Sequence, residues 1–209
     1  MFTIWFMGVP SSGKSTLAKQ VEKELNQKGY NIENLDGDGL RQNLHPDLGF
    51  SKEDRRINNK RTAYISKLLN KNGIPTIVAQ ITPFRESQTQ AREIIESESE
   101  FVLVYVKCDI EECKNRDPKG LYEKAEEGKI ENFTGVNHPF QEPKDPEIIV
   151  ETDKGSIEEC KKQIMSQLED MSLLDSLVED DYGFELSVTE HQSIREDLRE
   201  KGYLERAGI

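Results

Sequence analysis

The chain has 209 residues and a formal net charge of −12, from 28 basic and 40 acidic side chains. That length fits one domain, or one domain with an appendage. Such acidity argues against nucleic acid or a membrane surface as partner, because both are polyanions.

In chain order, residues 2–7 (FTIWFM) are an apolar run of strand formers ending at Gly8 and read as a buried strand. Residues 15–28 read as a helix with Leu17, Ala18, Val21 and Leu25 on one face, closed by Gly29. Residues 30–35 read as a second strand running into Asp36-Gly37-Asp38-Gly39. Ser51 opens another helix, with Glu53 and Asp54 in its first turn and Ile57, Tyr64, Ile65, Leu68 and Leu69 along it up to Asn72-Gly73. Residues 74–81 are a third strand, 85–96 a helix, and 101–107 (FVLVYVK) the most strand-like run of all. Asp109 reads as the N-cap of a short helix ending near Arg116. Residues 117–146 lack periodicity and are punctuated by glycine and proline, which suits a lid or binding loop. A strand over 147–151 and a helix over 156–168 complete the pattern. Strands alternating with helices predict an α/β fold with a parallel sheet.

No run of about 18 apolar residues is present, so no spanning helix is expected. The apolar start is too short for a secretory signal and lacks a basic flank. Cys108, Cys113 and Cys160 lack metal-ligand spacing and read as the reduced thiols of a cytoplasmic protein.

Residues 8–15 (GVPSSGKS) fit G-x-x-x-x-G-K-[ST] in full, between an apolar strand and an amphipathic helix. Gly8 and Gly13 let the backbone curl so that N–H groups, including those of Ser11, Ser12 and Thr16, face phosphate oxygens. The helix N-terminus adds its positive end. Lys14 suits the β- and γ-phosphates, and the Ser15 hydroxyl suits Mg²⁺. The expected fold is therefore a P-loop NTPase-type parallel sheet flanked by helices, with a lid and an acidic helical C-terminal appendage. A GTPase is disfavoured, because no N-K-x-D guanine motif occurs.

Asp36 and Asp38 sit at a strand end, the ligand edge of an open α/β sheet. One could order Mg²⁺ or its water, and the other could accept the proton of an attacking hydroxyl. Arg41, Arg55, Arg56, Lys60 and Arg61 follow closely, and clustered cations in an acidic chain suggest an anionic ligand.

Over about residues 3–168 the sequence resembles the adenylylsulfate (APS) kinase family. The motifs are the P-loop, Leu35-Asp36-Gly37-Asp38 with Arg41, Asp47-Leu48-Gly49-Phe50-Ser51, and Asp54-Arg55 with Asn58. Ile81-Thr82-Pro83 with Arg85, the heptapeptide RDPKGLY at 116–122, Phe133-Thr134-Gly135 and Pro139-Phe140-Gln141-Glu142-Pro143 continue the series. The resemblance implies ATP-dependent phosphorylation of the 3′-hydroxyl of APS to give PAPS. It implies that Asp38 orients or deprotonates that hydroxyl, with Asp36 nearer the metal. Arg41, Arg55 and Asn58 would hold the phosphosulfate and ribose, Phe50 and Phe133 would sandwich the acceptor adenine, and Ile81 and Thr82 would line its site. Lys119 would steady the transferring phosphate from the lid, and Arg116 would lie near the ATP adenine.

Four places depart from the family pattern. Gly39 replaces an asparagine, Thr82 a serine, Glu126-Glu127 stand where a basic residue is usual, and Asn137-His138 where acidic or small residues are usual. An altered acceptor would fit these changes, and some APS-kinase-like proteins phosphorylate another nucleotide, such as cytidine diphosphoramidate. A non-catalytic regulatory P-loop module is the alternative of another class; joint retention of Asp36, Asp38 and Lys119 speaks against it. The expected partners are a small-molecule nucleotide acceptor and, for self-association, a homodimer.

Residues 169–209 differ in kind, with 12 acidic and 4 basic side chains, so most of the net negative charge lies outside a kinase domain of residues 1–168. In the appendage, residues 171–178 could extend the last helix, and Thr189 to Gln192 resembles a capping box opening another.

Overall fold

A computed structural model describes residues 1–174. Its elements are β1 (Phe2–Met7), α1 (Lys14–Gln27), β2 (Glu33–Asp36), α2 (Gly37–Asn43), α3 (Lys52–Lys71), β3 (Thr76–Ala79), α4 (Arg85–Glu96), β4 (Glu100–Lys107), α5 (Ile110–Arg116), α6 (Leu121–Glu126), β5 (Ile148–Glu151) and α7 (Ile157–Asp170). The strands form one parallel sheet in the order β2-β3-β1-β4-β5. All six residues of β1 are buried, as a central strand covered on both faces requires.

One face of the sheet packs on α1 and α7 through Leu17, Val21, Leu25, Ile164 and Leu168. The other packs on α3 and α4 through Ala63, Ala91 and Ile95, with Trp5 and Tyr105 from the strands. A third, smaller cluster (Cys113, Tyr122, Ala125 and Phe133) belongs to the lid.

Several elements depart from the sequence expectation. The second strand starts at Glu33 rather than at residue 30, because Gly29 and Tyr30 are spent closing α1. Helix α2, which the sequence reading did not assign, begins at Gly37, since the Asp36 side chain caps it. The lid segment holds α6, capped at its start by the Asp117 carboxylate, which accepts from Leu121 N and Tyr122 N. Tyr64 and Leu68 lie exposed on α3 rather than in its apolar stripe, while the buried side of that helix is mostly polar. Helix α7 runs past residue 168, and Leu173 and Leu174 join the core, with Tyr30 Oη donating to Leu174 O at 2.6 Å. Most of the appendage, including the Thr189 capping box, lies outside the described residues. Among the described residues no helix is long and apolar enough to cross a membrane.

Candidate active site

The phosphate loop is shaped by close approach. A Cβ at Gly8 would stand 2.4 Å from Val106 O and 2.8 Å from Ser12 Oγ, so only glycine lets β1 turn past β4 into the loop. Ser11 and Gly13 take positive φ values of 59° and 94°. That alternation of backbone handedness turns N–H groups toward one concavity. Lys14 folds back over the loop, donating to Val9 O at 2.5 Å and Ser12 Oγ at 3.4 Å. Burial pulls its pKa from 10.5 down to about 8, against the opposing pull of nearby groups that include Asp38. A cation held in so dry a place is poised to gain from an incoming phosphate.

The loop's carbonyls are held from behind. Thr152 Oγ1 donates to Ser12 O at 2.8 Å, and Tyr122 Oη donates to Pro10 O at 3.0 Å. Arg116 clasps Thr152 through both its Oγ1 (3.2 Å) and its backbone O (2.6 Å), with Glu112 as its ion-pair partner at 2.9 Å. Arg116 therefore stands beside the P-loop, on the β5 side. Thr152 and Tyr122 were not singled out from sequence. Thr152 is marked only as the first residue beyond the last strand, and Tyr122 only as the end of the RDPKGLY heptapeptide. Ser15 and Thr16 lie exposed at the start of α1.

Across β1 from these groups lies the second cluster. Asp36 Oδ1 accepts from Asp38 N (3.1 Å) and Gly39 N (3.2 Å), so half of this carboxylate serves as a helix cap. Gly37 is needed because a Cβ there would meet Ala79 O at 2.9 Å. Lys119 reaches from the lid to donate to Asp38 Oδ2 at 2.5 Å, and Asp38 holds the Lys119 pKa above its usual value. Both side chains are well exposed (63% and 77%), so the pair adds little stability and stands open to competition by ligand.

The clustered cations divide sharply. Arg56 pairs with Glu53 at 2.6 Å and Arg61 with Asp47 at 2.8 Å, which removes both from any anion site. Arg41 and Arg55 instead bracket the Phe50 ring, at 4.6 and 5.5 Å from its centroid, and donate to backbone carbonyls. Arg41 Nη1 serves Gly49 O at 2.7 Å; Arg55 serves Phe50 O at 3.0 Å and Asn132 O at 2.8 Å. Burial lowers the pKa of Arg41, and burial with the Arg41 charge lowers that of Arg55 to about 10. Two partly desolvated guanidiniums without an ion pair among the described residues have the chemistry to receive an anion.

Asn58 is buried beneath them. Its Nδ2 donates to Gln80 Oε1 at 3.2 Å, its Oδ1 lies 2.8 Å from His45 Nδ1, and Gln80 Nε2 donates to Thr62 Oγ1 at 2.7 Å. Gln80 is a support that sequence reasoning missed, since nothing in one-dimensional spacing marks it.

Thr82 is 1% exposed, and its hydroxyl accepts from Trp5 Nε1 at 2.9 Å. Ile81 is half-buried, Phe50 is 55% exposed, and Phe133 is buried with its ring edge-on to Tyr122 at 4.9 Å. Glu126 is ion-paired to Lys114 at 2.9 Å, so it faces a protein cation.

The family model for adenylylsulphate kinase matches residues 1–151. This chain belongs to the adenylylsulphate kinase family. Curated relatives match over most of their own length. An adenylyl-sulfate kinase of Halothermothrix orenii is 45% identical over 168 residues, spanning 80% of this chain and 89% of the relative. That of Staphylococcus carnosus is 46% identical over 171 residues, spanning 82% and 85%. The APS kinase of Mycobacterium tuberculosis, solved in complex with AMPPNP and APS, superposes with a TM-score of 0.77 at 40% identity, covering 80% of this chain and 96% of its own. The chain is thus an ATP-binding P-loop phosphotransferase with an alcohol group as acceptor.

Proposed function

We propose that this chain transfers the γ-phosphoryl group of Mg²⁺-ATP to the 3′-hydroxyl of APS, giving PAPS. The observation that carries this reading is the meeting of Asp38 and Lys119 at the sheet edge, with buried Lys14 on one side and the Arg41–Arg55 pair on the other. ATP lies along the P-loop, with Gly8, Ser11, Ser12, Gly13, Lys14, Ser15 and Thr16 around its phosphates and Arg116 by its adenine. Asp38 receives or orients the acceptor proton. Lys119, released from Asp38 by that encounter, moves its charge to the phosphoryl in flight. Arg41, Arg55 and Asn58 fix the acceptor's anionic end, while Phe50 and Phe133 flank its base beside Ile81.

The donor set suits Mg²⁺: the Ser15 hydroxyl and the Asp36 carboxylate oxygen not used in capping are hard oxygen ligands. Bound there with the nucleotide, the ion would neutralise phosphate charge. The lid excludes water, which would otherwise compete as acceptor.

We take residues 1–174 as the catalytic body, a few residues longer than the sequence pattern divides it, because Leu173 and Leu174 complete the α1–α7 face. A cytoplasmic setting fits its three free thiols. Self-association as a homodimer is a further expectation, open to light scattering; the APS kinase of Thiobacillus denitrificans is hexameric.

The deciding measurement is ADP release with Mg²⁺-ATP and either APS or cytidine diphosphoramidate. We expect turnover with APS. Turnover with the cytidine compound alone would replace the acceptor, and turnover with neither would return the chain to a regulatory role.

A further inference from the structure

Helix α3 turns a polar side inward, and its Asn58 and Thr62 meet Gln80, the residue after β3. These three and His45 are buried. Four hydrogen bonds join them, and their directions depend on one another. The Thr62 hydroxyl has a single hydrogen, which it gives to Asn58 O at 3.0 Å. Toward Gln80 it can then only accept, and Gln80 Nε2 donates to it at 2.7 Å. That turns Gln80 Oε1 to Asn58, whose Nδ2 donates at 3.2 Å. Asn58 Oδ1 is left to His45 Nδ1, 2.8 Å away, which donates as an N–H. Run backwards, the chain would need the Thr62 hydrogen for Gln80 Oε1 and would forfeit the bond to Asn58 O. It would keep three bonds where the present sense has four, so the count sets the direction. Both amides are thereby held against rotation.

Gln80 is itself pinned at the sheet edge. Its backbone N donates to Phe6 O at 3.0 Å, near the end of β1. Its Cγ lies against Gly37, where an added Cβ would stand 3.0 Å from it. Gly37 separates Asp36 from Asp38, so Gln80 has the acidic turn on one side and Asn58 on the other. Asn58 follows Arg55 by three residues and shares its buried face of α3.

We propose that Gln80 is a positioning residue for the acceptor: backed by Thr62, it fixes the Asn58 amide so that the second N–H of Nδ2 is kept for an acceptor oxygen. This deepens the function proposed above and rests on it. On that amide, Nδ2 gives one hydrogen to Gln80, and Oδ1 receives one from His45. The remaining hydrogen has no hydrogen-bond partner among the described residues. An amide free to turn would present it correctly only part of the time. Fixing the amide beforehand lowers the ordering cost of binding. Gln80 therefore acts on acceptor affinity through Asn58, without touching the acceptor.

The test is initial-rate kinetics with APS and Mg²⁺-ATP, joined to a double-mutant cycle. Gln80→Met keeps the length of the side chain and removes both polar atoms. It should raise the KM for APS about tenfold and leave the KM for ATP within about twofold of wild type. Thr62→Val should raise the KM for APS by about threefold, and Thr62→Ser, which keeps the hydroxyl, should restore it. In an Asn58→Ala background, Gln80→Met should add less than about twofold, since the residue through which it acts is gone. A loss of stability alone would move neither the contrast between APS and ATP nor the cycle. A KM for APS unchanged by Gln80→Met, or an equal effect persisting without Asn58, overturns the proposal. Should Gln80→Met fail to fold, the Thr62 pair decides: a Thr62→Val enzyme with the wild-type KM for APS overturns it. A wild type that does not turn over APS overturns the proposed function itself, and the inference with it.

Discussion

The two sides of the proposed active site are built from different materials. The donor side is mostly backbone: a curled loop with its carbonyls tied off by Thr152 and Tyr122 and one buried lysine. The acceptor side is mostly side chains, several exposed and drawn from α2, α3 and the lid. Backbone geometry recognises a phosphate common to every ATP-dependent kinase. Side chains discriminate, and they can change one at a time without unmaking the fold. The donor side should therefore fail as a unit, and the acceptor side residue by residue.

Lys14→Met is the harshest test of that contrast. It should lower kcat/KM by about 10³-fold or more by removing charge stabilisation of the phosphoryl group. It should nonetheless raise the melting temperature at pH 7, since a buried ammonium is costly; a fall in melting temperature would show that the bonds to Val9 O and Ser12 matter more than the desolvated charge. Asp38→Ala should lower kcat by about 10²–10⁴-fold, the range for general acid–base groups, while isothermal titration shows ATP binding retained. Arg55→Lys should raise the KM for APS by about 10–100-fold and leave that for ATP alone, because an ammonium cannot reproduce the forked contacts to Phe50 O and Asn132 O. An equal rise in both would erase the division between the two sides.

Alkaline pH probes the donor side more gently. The free enzyme's Lys14 loses its proton near pH 8, so the KM for ATP should rise roughly tenfold per unit above that. Stability should move the other way. Between about pH 8 and 10.5 the unfolded chain holds a proton at Lys14 that the folded chain has released, so this group favours folding increasingly as pH rises. Below pH 8 both states are charged and the full burial penalty stands. The Lys14→Met variant should lack both trends. Smallest of all, Thr152→Val should cost about 1 kcal/mol of stability in urea unfolding and a few-fold in the KM for ATP.

The same contrast explains what could be read in advance. The P-loop and its flanking elements were legible because motif, strand and helix are contiguous. Helix α2 was hidden by its own cap, since Asp36-Gly37-Asp38-Gly39 looks like a turn until the carboxylate is seen accepting two N–H groups. Helix α3 misled for a different reason. Its inward face carries Arg55, Asn58, Asn59, Thr62 and Ser66, while Tyr64 and Leu68 face solvent, so hydropathy points the wrong way where a helix floors a polar site. Nor could spacing tell Arg55, without a carboxylate partner among the described residues, from Arg61, committed to Asp47. Thr152 and Tyr122 act across the whole fold, and a single sequence carries no record of such pairings.

The Thr152 clasp also sets an order of events during synthesis. Residue 12 leaves the ribosome 140 residues before the threonine that secures it, and residue 10 precedes its tyrosine partner by 112. At about 5–20 residues per second, the loop waits many seconds for its backing. Its strand waits too, since β1 pairs with β3 and β4, which come later in the chain. The P-loop is translated well before the segments that back it, and a nascent chain offers ATP no finished cradle until β5 and the residue beyond it have been delivered.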